Sequence, residues 1–165
     1  MQSTSSNTTS LETMAEKEPT FDRIARLSWS QPNSCSCEKC RNMCHVPCLG
    51  TPEDIEKLVD AGYTSRLQPT EWLVGKLVGL TNRSITMIQP RQERGWCTFY
   101  HNGLCELHDK GLKPTEGRLA YHTVQDPRQL DLSKNEAWLV AKEWIDDANF
   151  YTILRLCDKI KKQIR

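Results

Sequence analysis

Five of the eight cysteines in this chain fall within fourteen residues, at Cys35, Cys37, Cys40, Cys44 and Cys48. Two more, Cys97 and Cys105, follow with His108 close behind. Thiols crowded in this way are either a disulfide framework in a secreted chain or a ligand set in a reduced one. The first thirty residues contain no basic segment, apolar run or small-residue cleavage site, so no secretory signal is visible. Glu12, Glu16 and Glu18 argue against a mitochondrial transit peptide. No apolar stretch approaches the roughly 20 residues that span a bilayer. These observations together predict a cytoplasmic chain whose thiols stay reduced and serve a metal.

The 165 residues allow one domain, and a hydrophobic fraction of 38% with three phenylalanines predicts a thin apolar core that a metal would supplement. Charge is nearly balanced at a formal +1, from 22 basic and 21 acidic residues, so no general field draws nucleic acid or an anionic membrane. The local basic run from Lys159 to Arg165 reads as a solvated helix end. Residues 1–18, rich in Ser, Thr, Asn and Glu, read as a disordered tail, leaving 19–165 as a single metal-binding domain.

Helical spacing of Phe21, Ile24, Ala25 and Leu27 predicts a short helix stopped before Pro32. The cysteine run carries no periodicity and reads as a metal-organised loop. Thr51 is a candidate N-cap, with Pro52 at the first helical position and Ile55, Leu58 and Val59 on one face; Gly62 supplies the stop. Residues 72–88 read as a short helix or turn followed by a strand. In 95–106, Asn102-Gly103 between apolar and aromatic residues predicts a hairpin with Cys97 and Cys105 on opposite arms. The stretch from Gly111 to Pro127 reads as irregular. Ser133 with Glu136 resembles a capping box opening a helix through Trp144, and helical spacing resumes from Phe150 to Ile160 after an interruption at Asn149. The expected fold is therefore α+β: mostly helical, with a short hairpin and a C-terminal helical pair.

Zinc and iron–sulfur sites need converging thiolates, and Cys37-x2-Cys40 provides a close pair. Cys44 and Cys48 follow, each after three intervening residues, while Cys97, Cys105 and His108 complete that site or form a second one. Seven such residues exceed the four positions of one tetrahedral zinc. The ligand set read from the sequence is thus Cys37, Cys40, Cys44, Cys48, Cys97, Cys105 and His108, with zinc preferred over iron or an iron–sulfur cluster. Cys35 and His45 are open as ligands, and His122 and Glu116 as ligands or acid/base groups. Cys157 lies on a helical apolar stripe and reads as a core thiol. No nucleotide-binding loop, nucleophile elbow or telling pair of carboxylates is present. A protein partner is open, with the C-terminal helices as its place if Trp138 and Trp144 are exposed.

These residues resemble the bacterial cysteine-cluster proteins of the YkgJ type, described as zinc- or iron-chelating. The resemblance rests on Cys37-x2-Cys40-x3-Cys44 with Pro47-Cys48, on the acidic segment from Thr51 to Leu58, and on Cys97-x7-Cys105 followed by Leu107-His108-Asp109 and Lys113 to Arg118. It covers residues 35 to about 122. Met43-Cys44 stands where the family has adjacent cysteines, and Gly117 where it commonly has a cysteine. The resemblance implies a bound metal, and through the related cysteine-rich part of flagellin lysine methylases an iron–sulfur centre, without implying a reaction.

Overall fold

The computed structural model describes residues 18–164. It is an α+β fold in which seven α-helices surround three short antiparallel strand pairs among the described residues. The helices are α1 (Thr20–Ser28), α2 (Glu38–Met43), α3 (Pro52–Asp60), α4 (Val74–Leu77), α5 (Thr115–Leu119), α6 (Glu136–Glu143) and α7 (Phe150–Ile164). Strand β1 (Leu67–Trp72) pairs with β2 (Ile85–Pro90) from Leu67↔Pro90 to Trp72↔Ile85. The smaller pairs are β3 (Gln92–Glu93) with β4 (Trp96–Cys97), and β5 (Tyr100–His101) with β6 (Leu104–Cys105). None of the helices is long and apolar enough to cross a membrane.

Helix α3 forms as its sequence dictates. The Thr51 hydroxyl accepts from the Asp54 amide while the Asp54 carboxylate accepts from the Thr51 amide at 3.0 Å, satisfying two of the free N–H groups at the helix start. Its apolar face, Ile55, Leu58 and Val59, is buried against α7, whose Leu156 and Ile160 are buried in turn. Helices α1 and α5 pack on α6. Ile24, Ile85, Met87, Phe99, Leu107, Leu119 and Val140 complete one apolar core.

The hairpin signal is accurate but narrower than the sequence suggests. Asn102 and Gly103 take φ of 50° and 82° and turn β5 into β6, so Cys105 pairs with Tyr100. Cys97 lies instead on β4, opposite Gln92, because a second turn at Arg94 and Gly95 joins β3 to β4. The cysteine run contains the helix α2, and the stretch expected to be irregular contains α5. Both are too short to carry a periodic pattern. Strand β1, broken in sequence by Pro69, was outside the predicted elements; as one strand of a two-stranded sheet, Pro69 can leave its missing donor on the open side. Helix α6 is capped two residues later than predicted: Asn135 caps it, accepting from the Ala137 amide at 3.0 Å, and Ser133 lies in a preceding 3-10 turn. The interruption at Asn149 is a 3-10 turn leading into α7. Of the predicted tail, residues 1–17 lie outside the described residues, as does Arg165 of the basic end.

The strand pairs are tied to the 3-10 turn before β1 by Glu106, which accepts from Arg66 Nη1 and Lys110 Nζ, each at 2.8 Å. The Arg66 guanidinium lies 3.8 Å from the centroid of the Phe99 ring. Lys110 and Arg66 hold the Glu106 carboxyl down at about 2. A group lowered in this way adds stability above its ordinary value of 4.5, which is lost as the pH falls from there through about 2. Glu106→Gln should therefore cost about 1 kcal/mol at pH 7, and urea denaturation should show the gap to the parent chain closing by pH 2.

Candidate metal centre

The chain leaves α1 at Trp29, in the left-handed conformation, and runs extended to Asn33, which places the cysteine arm. The Asn33 amide donates to Arg118 O at 2.8 Å, and its side-chain nitrogen donates to Ala120 O at 2.6 Å. Its side-chain oxygen accepts from the Cys35 amide at 2.8 Å, and its nitrogen also reaches Cys40 Sγ at 3.8 Å. One asparagine thus fastens the cysteine arm to the segment that follows α5. That segment carries His122.

The result is a group of four ligand atoms, from Cys35, Cys37, Cys40 and His122, all within 4.8 Å of one another. His122 Nδ1 lies 2.9 Å from Cys40 Sγ and 3.7 Å from Cys37 Sγ. Zinc bonds of about 2.3 Å to sulfur and about 2.0 Å to nitrogen leave about 3.6 Å between S and N at a tetrahedral angle. The group could hold a metal ion with little rearrangement. Cys37 occupies the N-cap of α2, and the amides of Cys40 and Lys39 in that first turn lower its pKa. Burial acts the other way on Cys40, whose thiol is raised.

The remaining cysteines of the predicted set gather elsewhere. Cys44, Cys48, Cys97 and Cys105 line a cavity of about 370 Å³, together with Lys113, Glu116 and residues of the Asn33–Cys40 arm. The Cys97 amide donates to His45 O at 2.7 Å, which fastens β4 to the end of α2 beside Cys44. Cys105 keeps its proton and shares it with Cys44; that hydrogen bond, helped by the Lys113 charge, brings Cys44 down to about 7. Burial pushes Cys48 and Cys97 up, and Glu116 and the neighbouring thiols add repulsion at Cys48. Glu116 accepts from the Leu49 amide at 2.5 Å, but burial dominates and raises its carboxyl to about 7.

Cys37 and Cys40 therefore meet as a pair, whereas Cys44, Cys48, Cys97 and Cys105 form a separate group. His108 is exposed at the cavity rim and belongs to neither cysteine group's sulfur contacts. Cys35 and His122, which sequence reasoning left undecided, complete the first group. His122 lies more than eighty residues from the cysteines in sequence, and Asn33 has no motif around it; both required the fold. Cys157 is half-buried on α7 and joins neither group. His45 packs its ring 3.5 Å from Trp96. Trp144 is buried and donates to Gly50 O at 2.8 Å, and Trp138 stacks on Trp72 at 5.9 Å, so this pair does not form the exposed partner surface envisaged on the C-terminal helices.

Comparison of the chain with models of protein families, with curated proteins and with solved structures gave no match.

Asn33 touches the ligands without being one, and losing such a support commonly costs 10–100-fold in metal affinity. Asn33→Ala should weaken metal binding by about that factor in a chelator competition, with the far-ultraviolet dichroism of the metal-loaded chain unchanged.

Proposed function

We propose that this chain is a zinc-binding protein of the cytoplasm, in which the Cys35, Cys37, Cys40 and His122 centre joins the cysteine arm to the segment after α5. The observation that carries this reading is the convergence of four ligand atoms within 4.8 Å. Three thiolates and one imidazole fill a tetrahedral shell, the arrangement of structural zinc sites, whereas catalytic sites keep a position for water or substrate. The arm around Cys35 and Cys37 has little regular structure and few buried apolar side chains, so binding free energy there is folding free energy. The resemblance to the YkgJ-type cysteine-cluster proteins agrees in kind, since it too implies a zinc or iron ligand set beginning with Cys37 and Cys40.

A second reading is a zinc or iron–sulfur enzyme with redox or group-transfer activity. It is favoured by the cavity, where Glu116 and Lys113 stand beside four thiols. Among the described residues, however, no substrate-recognising constellation accompanies them.

The chain purified with zinc should lose its metal to a strong chelator and melt at a lower temperature when it does. His122→Ala and Cys37→Ser should each reduce zinc affinity at least tenfold, measured by competition with a chromophoric chelator. An unchanged thermal midpoint on metal removal would exclude a structural centre.

A further inference from the structure

Two apolar patches outside both cysteine groups are left exposed by the fold, and they carry opposite charge. The first is the tip of the turn between β1 and β2, where Leu73, Val74, Leu77 and Val78 are all exposed, Leu77 to 81%. This tip is built rather than loose. The amides of Leu80 and Thr81 both donate to Gly75 O, at 2.8 and 3.2 Å, and fold the chain back over α4. A Cβ added at Gly75 would stand 2.6 Å from the Trp72 ring and 3.4 Å from the Trp138 ring, so only a glycine lets α4 sit on that stacked pair. The small face of α4 is used in this contact, and its aliphatic side chains point away from it. Residues 72–92 include Lys76, Arg83 and Arg91 and no acidic residue. Arg91 pairs with Glu93, whereas the Lys76 and Arg83 side chains have no partner among the described residues.

The second patch is the corner where α6 gives way to α7. Ile145, Phe150, Tyr151 and Leu154 are exposed there, Tyr151 to 75%. Phe150 and Leu154 stand one turn apart on α7, away from the row of Ile153, Leu156 and Ile160 that packs on the core. Residues 143–154 carry Glu143, Asp146 and Asp147 and no basic residue. Glu143 is buried against Arg23. Asp146 spends one oxygen on the Ala148 amide at 2.9 Å, and Asp147 has no side-chain partner among the described residues. Monomeric soluble chains rarely leave contiguous apolar patches of this kind uncovered.

Helix α6 joins the two patches. Trp138, in its first turn, stacks on Trp72 beneath the tip, and Ile145 lies just past its C-cap, seven residues on and so on the same side. At about 1.5 Å per residue the inner ends of the patches are about 10 Å apart. A two-fold axis beside α6 would bring each basic tip onto the acidic corner of the other copy. We propose that the α4 tip and the α6–α7 corner are the two halves of a reciprocal interface between two copies of this chain, with Lys76 and Arg83 meeting Asp146 and Asp147 around the apolar contact. Such a pair occupies both patches of each copy and leaves none for further growth. The interface shares no residue with the Cys35–His122 centre.

The test is sedimentation equilibrium of the full zinc-loaded chain over a range of concentrations. A reversible dimer is expected, with no larger species. L77D and K76E/R83E should each weaken it at least tenfold, the first by burying a charge in the apolar contact and the second by setting like charges face to face. D147K should weaken it too, and leaves the Asp146 cap in place. All of these positions are exposed, so the far-ultraviolet dichroism should match that of the parent chain. Mixing the K76E/R83E chain with the D147K chain should restore association, because in the mixed pair the reversed tip meets the reversed corner and the two native patches meet each other. A chain that is monomeric at every concentration, a dimer that L77D and K76E/R83E leave intact, or a mixture no tighter than its components would overturn the interface. So would a monomer that sediments through the same tip with phosphatidylserine vesicles, which would assign the tip to a lipid surface.

Discussion

The loop from Cys48 to Thr51 is held from three sides, and both groups of cysteines depend on it. Leu49 exchanges two hydrogen bonds with Glu116, donating to its carboxylate and accepting from its amide. Gly50 O accepts from the indole of Trp144 on α6. Asp54, buried at the start of α3, accepts from the amides of Thr51 and Thr115 through one oxygen, at 3.0 and 2.9 Å. A buried carboxylate is tolerated only where donors converge on it, and here the donors are the first residues of two helices. The starts of α3 and α5 are thereby locked together. That lock sets the distance from Cys48 to Gly117 and directs the chain after α5 towards Asn33 and the cysteine arm.

The two cysteine groups differ in the physics that governs their charge. Cys37 is exposed, and the amides of Cys40 and Lys39 lower its pKa. Cys48 and Cys97 face a low-dielectric cavity, where burial and mutual repulsion keep the thiols protonated.

The apolar core runs from Ile24 through α3 and β2 to α7, takes in Cys97, and leaves the arm at residues 31–37 with little to bury. The arm is held by Asn33. The strand pairs carrying Cys97 and Cys105 are two residues long and rely on Glu106, Arg66 and the buried Phe99 for their position.

Much of this was legible in the chain itself. The helix from Pro52, the Asn-Gly turn and the C-terminal helices follow from capping residues, turn chemistry and apolar spacing, all of which act between neighbours in sequence. The expectation of a metal site follows from thiol density in the same way. The assignment of each cysteine to a group was not legible, since seven residues of suitable chemistry can be partitioned in many ways and spacing favours none of them. Tertiary structure made that choice: Asn33 brings His122, remote in sequence, to Cys40, and the turn at Arg94 and Gly95 puts Cys97 opposite Gln92 on a hairpin of its own. Local pattern determined which residues have ligand chemistry and which segments are helical; long-range hydrogen bonds, invisible in the order of the residues, decided which of those groups meet.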